Sequence, residues 1–245
     1  MEIISKAEMN SLRRIVGEVD PSASQRRQTY LAIVGPLLSS LAAIGYDVQV
    51  VGDLRRLRKP WKSALPLLIQ WLPKVEDPAI KEEIVRCLSV PWVKTAVTAE
   101  LIQQFRKYAP LLKKLPNPWD GNRLSEIDVE SKRLAPYFSL AWAIGNAISI
   151  VGYKGFEDDI LDLCVNKEYG NARQMIVEGL GRIGRSKDET ALISLLGDDS
   201  VKLHAIRALR KMKSRSALPS LSGLLSDPSA IVRSEARKAI NAISK

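Results

Sequence analysis

The chain is poor in the residues that most often do chemistry. Its 245 residues include one histidine, His204, and two cysteines, Cys87 and Cys164, and only 6% are aromatic. A lone histidine without a partner at a fixed spacing makes a poor general base or metal ligand. The cysteines are 77 positions apart, belong to no Cys/His cluster with zinc spacing, and both fall on faces read as buried, where they serve as small core residues. No apolar run approaches the roughly 18–20 residues of a membrane span. The longest candidate is Leu31–Ile44, broken by Gly35-Pro36 and Ser39-Ser40. The N-terminus carries Glu2, Lys6 and Glu8 rather than a basic stretch followed by an apolar core. Gly179, Gly181 and Gly184 lie within or end a helical pattern, so they make no phosphate loop after a strand. The acidic runs Glu157-Asp158-Asp159 with Asp162, and Asp198-Asp199, read as helix starts, without calcium-loop spacing. These scarcities predict a cytoplasmic protein with no membrane segment, catalytic residue, metal site or cofactor.

What the chain does have is a repeat. Gly170–Gly184 (GNARQMIVEGLGRIG), Asp199–Lys213 (DSVKLHAIRALRKMK) and Ala230–Ser244 (AIVRSEARKAINAIS) close 29 and 31 residues apart. Aligned, Ile176, Ala205 and Ala236 share one column, Leu180, Leu209 and Ile240 the next, and Ile183, Met212 and Ile243 the last. Offsets of four and three mark the apolar face of an α-helix. Weaker copies hold Ile84, Val85, Cys87 and Leu88, then Ile144, Ile148, Val151 and Gly152, in the same register. Each copy also has a first helix, predicted over 65–72, 101–105, 160–165, 191–196 and 218–225. Neither helix of such a hairpin buries its face alone, so neighbours stack into a solenoid.

The pattern resembles the HEAT family, in the short bacterial form also found in phycobilisome-lyase-like proteins. Ala217-Leu-Pro-Ser-Leu-Ser-Gly-Leu-Leu-Ser-Asp-Pro followed by Ile231-Val232-Arg233 is close to its consensus, as is Ala64-Leu-Pro-Leu-Leu with Asp77-Pro78. The resemblance covers 63–245. It implies an all-α, right-handed α-solenoid of about five hairpins. The family's inter-helix Asp appears as Asp77, Asp198 and Asp227 and its second-helix Arg as Arg173 and Arg233, with Lys81 and Lys202 substituting and Ala141 departing. The resemblance also implies that second helices line a concave groove.

Two segments stand outside the repeat. Residues 1–62 read as an N-terminal helical cap on one continuous domain: a helix over 3–19, a break at Asp20-Pro21-Ser22, a second helix capped by Ser22 or Ser24 and ended at Gly45, then irregular chain over 46–62. Residues 109–131, with Pro110, Pro116, Pro118, Trp119, Asp120 and Gly121, read as a turn-rich insertion. Such insertions emerge on one face of an array, often the binding face. The alternative is that Trp119 tucks onto the core.

Charge is uneven: net +4 over 1–62, +1 over 63–132, −1 over 133–184 and +6 over 185–245, for a total of +10. Three columns of the second helices are read as surface: Arg86, Asn146, Glu178, Arg207 and Lys238; Glu82, Trp142, Gln174, Leu203 and Ser234; and Ser89, Ser149, Gly181, Arg210 and Asn241. Trp142 with Tyr137 and Phe138 is the candidate apolar anchor, since tryptophan and arginine carry much of the energy of protein interfaces; an ordinary core tryptophan is the competing reading. A second candidate is the basic run Arg55, Arg56, Arg58, Lys59 and Lys62 around Trp61, suited to phosphates or to an acidic protein.

The function expected is non-catalytic binding of a macromolecule, first of all a protein, an acidic one included, by a chain monomeric on its own. Scaffolds, assembly factors and toxin-neutralising immunity or inhibitor proteins are what the resemblance implies. The alternative is nucleic-acid binding, including the alkylated-base DNA glycosylases of HEAT-like fold, which use tryptophans and a carboxylate. Trp61, Trp71, Trp92, Trp119 and Trp142 are present, but no carboxylate with its surrounding tryptophans matches that site. Bilin lyase activity has only the repeat resemblance behind it.

Overall fold

The computed structural model describes residues 23–58, 60–112, 129–182 and 185–245, and every regular element among them is helical. The chain divides into two compact units, Met1–Gln49 and Val50–Lys245. Val50–Lys62, read from the sequence as part of a cap, therefore belongs to the larger unit. The expected helix over 3–19 lies outside the described residues, as do Trp119, Asp120, Lys59, Ile183 and Gly184.

In the first unit, α1 (Ala23–Ala43) buries Val34, Leu37 and Leu41 at offsets of three and four. It ends where glycine permits. Gly45 takes φ 91°, the Gly45 amide donates to the Ala42 carbonyl, and the Tyr46 amide donates to that of Leu41, both at 2.9 Å. This double closure satisfies the last carbonyls of the helix.

The second unit is a row of helical hairpins. Its first helices are α2 (Leu65–Trp71), α4 (Thr98–Tyr108), α6 (Glu157–Val165), α8 (Ser186–Ser194) and α10 (Leu218–Gly223). Its second helices are α3 (Pro78–Leu88), α5 (Val129–Val151), α7 (Gln174–Leu180), α9 (Lys202–Met212) and α11 (Ala230–Ile243). The second helices pack in chain order, each on the next, which makes this unit an α-solenoid. Local sequence sets the helix starts: Pro66 and Pro78 sit in first turns, and the Asp77 carboxylate accepts the Ile80 amide at 2.9 Å.

The expected core columns are core. Ile84, Val85, Cys87, Leu88, Ile144, Ile148, Val151, Ile176, Leu180, Ala205, Leu209, Ala236 and Ile243 are buried. Met212 and Ile240 are half-buried. Burial raises both thiols, that of Cys87 to about 12, so neither is reactive at neutral pH.

Several expectations need correction. Gly170–Gly184 does not form one helix: Lys167–Arg173 is a 3-10 segment broken at Gly170 (φ 46°), and α7 starts only at Gln174. The chain turns tightly over Ala109–Leu112, and α5 has already begun at Val129, inside the segment read as a loop. Residues 46–62 hold two short 3-10 turns, Val51–Arg56 and Lys62–Ala64, pinned by buried Val51, Leu54 and Trp61. The most apolar helical stretch is Arg133–Val151 rather than Leu31–Ile44. Its 19 residues have a mean hydropathy of 1.4, enough by length and composition to cross a membrane. Here that apolarity is used against protein, because α5 packs on α3, α4 and α7 at once.

A ladder of cationic donors, Arg173 and Lys81 buried and Lys202 half-buried, joins successive hairpins. Arg173 donates to Asp198 at 2.8 Å and Lys202 to Asp227 at 3.1 Å, each reaching 25 positions ahead. Lys81 donates to Gln104 at 2.7 Å and lies 4.8 Å from the centre of the Tyr108 ring. Lys81, Arg173, Asp198, Lys202 and Asp227 thus bond between repeats, while Asp77 caps its own helix and Arg233 donates to the Asp227 and Pro228 carbonyls.

Candidate binding face and basic pocket

Because the second helices lie side by side, their outward columns form one face. Arg86, Asn146, Glu178 and Arg207 are half-buried along it, and Lys238 is exposed. Arg207 bridges three helices: it lies 3.6 Å from Glu178 on α7 and 3.7 Å from Glu235 on α11. Lys211 joins Glu178 at 3.0 Å, while Arg210 and Lys238 join Glu235 at 3.4 and 2.8 Å. The C-terminal part of this face is therefore an ion-pair network in which four cations share two carboxylates, and it stays net basic. Burial opposes ionisation of Glu178, but Lys211, His204 and Arg207 outweigh it and hold the carboxyl below its usual range. The Lys238 hydrogen bond does most to lower Glu235. His204, on the same helix as Arg207, is pushed down to about 4, chiefly by burial, so it is neutral at physiological pH.

The column of Glu82, Trp142 and Gln174 is also half-buried, and the Gln174 amide donates to the Ser200 carbonyl at 3.2 Å. The remaining column is not surface throughout. Ser149 and Gly181 are buried. A Cβ on Gly181 would stand 2.6 Å from the Ala208 carbonyl oxygen, so this column marks where α7 meets α9. The expected aromatic anchor also divides. Phe138 is core, Tyr137 is half-buried and stacks on Tyr108 with ring centres 5.8 Å apart, and Trp142 is half-buried in the face column between Glu82 and Gln174.

The basic run and the Arg86 column, read from sequence as rival sites, meet in one cavity of about 390 Å³. Its walls include Arg55, Arg58, Trp61, Arg86, Trp92 and Asn146. Trp61 is buried and meets the half-exposed Trp92 edge to face, ring centres 4.7 Å apart. Asn146 lies one helical turn beyond Trp142, so the cavity opens beside the anchor. Arg86 pairs with Glu82 at 2.6 Å. Arg55 and Arg58 are exposed and have no carboxylate partner among the described residues. Arg56 does not join them, since it pairs with Asp53 at 2.8 Å, and Lys62 is exposed outside the cavity wall. Trp92 was not singled out as a site residue in the sequence. The available signal was its proline-led position straight after α3, at the mouth of a hairpin turn.

Residues 157–241 match the family model for HEAT repeats. This stretch is an array of HEAT repeats. It takes in the Arg173–Asp198 and Lys202–Asp227 rungs and the whole Glu178–Arg207–Glu235 network of the HEAT face. The chain matches no curated protein.

Proposed function

We propose that the chain is a non-catalytic HEAT-repeat module that binds another protein along its second-helix face, with Trp142 as the apolar anchor. HEAT repeats commonly serve as protein-interaction scaffolds, and solenoids present extended surfaces for that purpose. The observation that carries the reading is Trp142 itself. It stays half-buried in one column between Glu82 and Gln174, while Phe138, Ala141 and Ala143 beside it on α5 are packed away. An inhibitor or immunity role is the specific form of this reading, and an acidic partner surface suits the cations at the cavity end.

Affinity capture from the native host with mass spectrometry identifies the partner, and titration of the purified pair tests the face. Trp142→Ala should cost about 2 kcal/mol or more of binding, the range of interface hot spots. Unchanged affinity with an unchanged fold removes this face from consideration. Nucleic-acid binding is the second reading, supported by Arg55, Arg58 and Arg86 around one cavity. Phosphate-dominated affinity falls log-linearly with salt, whereas an interface anchored on an apolar side chain loses little.

A further inference from the structure

We infer that the cavity between the Val51–Arg56 turn, the C-terminus of α3 and α5 is a nucleoside-phosphate site, with the phosphoryl group held by Arg55, Arg58 and Arg86 and the base lying along Trp92. This is independent of protein binding on the HEAT face.

Three guanidinium groups line the cavity and no carboxylate does. Glu82 already pairs with Arg86, so two of the three charges are open to a ligand, and a single carboxylate would match only one of them. A phosphomonoester carries close to two negative charges and three acceptor oxygens, and the guanidinium fork suits it in geometry as well as charge. The carbonyls at the end of α3 would oppose an anion there. They are already occupied: the Ser89 hydroxyl donates to Val85 at 2.8 Å, the Ser89 amide to Arg86 at 3.4 Å, and the Val90 amide to Leu88 at 2.9 Å.

The rest of the lining selects what carries the phosphate. Trp92 is half-exposed and braced edge to face by buried Trp61, which fixes a flat apolar surface next to the cations. Bases stack on such surfaces. Asn146 also lines the cavity, and its side-chain amide makes no hydrogen bond within the protein among the described residues. An amide offers one donor and one acceptor side by side, which is the complement of a nucleobase edge. A phosphorylated tyrosine ring has no such edge. The volume of about 390 Å³ is that of a small-ligand pocket.

Calorimetric titration of the full chain with AMP, adenosine and inorganic phosphate tests the assignment. AMP should bind at least tenfold more tightly than either adenosine or inorganic phosphate. Arg58→Gln and Arg86→Gln should each weaken AMP at least fivefold with melting unchanged. Arg58 is exposed, so its variant still decides the matter if Arg86→Gln unfolds. A tetranucleotide with a 5′-phosphate separates the two sources of this chemistry. Binding tenfold tighter than AMP means a strand, and equal binding means a free nucleotide; both support the site. Three results overturn it: AMP binding no tighter than inorganic phosphate, AMP affinity indifferent to both arginine variants, or displacement of AMP by a glutamate-rich or phosphotyrosine peptide of higher affinity, which assigns the cavity to a protein segment.

Discussion

Arg173, only 1% exposed, donates from Nη2 to the Asp198 carboxylate at 2.8 Å and so bonds one HEAT repeat to the next. Its Nε and Nη1 donate to the Gly170 and Cys164 carbonyls at 2.9 and 3.0 Å. Every edge of the guanidinium has a partner, which makes a buried cation tolerable. Removing the side chain strands Asp198 and two carbonyls. Arg173→Ala should therefore destabilise the chain by about 3–5 kcal/mol in urea unfolding. Arg173→Lys should recover only part of that, because an ammonium cannot span three acceptors fixed in a plane. Full recovery by lysine would reduce the rung to a simple charge contact.

Gly179 sits under Tyr153. A Cβ there would lie 1.9 Å from the Tyr153 hydroxyl and 2.8 Å from the Ser149 Cβ. The hydroxyl is buried and has no hydrogen-bond partner among the described residues. Tyr153→Phe should thus be neutral or stabilising by up to about 1 kcal/mol, since an unsatisfied buried group is lost. Gly179→Ala should destabilise, and the two changes together should be less harmful than their sum. A double-mutant cycle by thermal unfolding reads that coupling directly; strict additivity would mean the two residues do not share this space.

Two further glycines make an opposed pair. A Cβ on Gly181 would meet the Ala208 carbonyl oxygen at 2.6 Å and its Cα at 2.7 Å, backbone that cannot step aside. Gly181→Ala should cost about 1–3 kcal/mol as α7 and α9 are forced apart. Gly223 is helical in α10 and has nothing within 4 Å of where a Cβ would go. Gly223→Ala should stabilise by about 0.4–1 kcal/mol through the unfolded chain. Denaturation midpoints moving in the same direction for both variants would refute the packing.

Lys81 is fully buried, and its pKa falls from 10.5 to about 8, burial being the main cause. The folded state therefore releases this proton more easily than the unfolded chain does. Between pH 8 and 10.5 the unfolded chain holds the proton and the folded one does not, so this group adds stability as pH rises through that window. Below pH 8 both states are protonated and the whole burial penalty is felt. The wild-type minus Lys81→Met difference in melting temperature should climb across the window. A flat difference would show that Lys81 keeps an ordinary pKa.

Much of the fold is legible because a helix repeats itself. The offsets of four and three place Ile176, Leu180, Ala205, Leu209 and Ala236 inside without reference to anything distant. Asp77-Pro78 announces a helix start for equally local reasons. The pocket is not legible in this way. Arg55 and Arg58 stand some 30 positions before Arg86 and about 90 before Asn146, and only the packing of the Val51–Arg56 turn on α3, and of α3 on α5, brings them to one cavity. Ser149 and Gly181 are misjudged as surface because their column holds Arg210 and Asn241 further along, which are half-buried and exposed. Their small size was the usable sign, since a glycine inside a helix often marks close backbone approach. Trp142 and Phe138, four positions apart on α5, differ in exposure because that helix has neighbours on three sides.

The rung from Lys202 to Asp227 has a bearing on how the array comes apart. In a linear chain of modules each end is free to fray by itself, and melting can run inward piece by piece. Here Asp227, carried by the next hairpin, shares the Lys202 ammonium with Asp199 of its own hairpin, and Asp198 of the following hairpin holds the buried Arg173. Peeling away the α10–α11 hairpin removes one of the two carboxylates on Lys202, and losing the α8–α9 hairpin removes the carboxylate of Arg173, so each loss leaves the neighbour weaker than it was. Loss therefore begets loss, and the array is wired to open like a zip released from its last tooth rather than to shed modules one at a time.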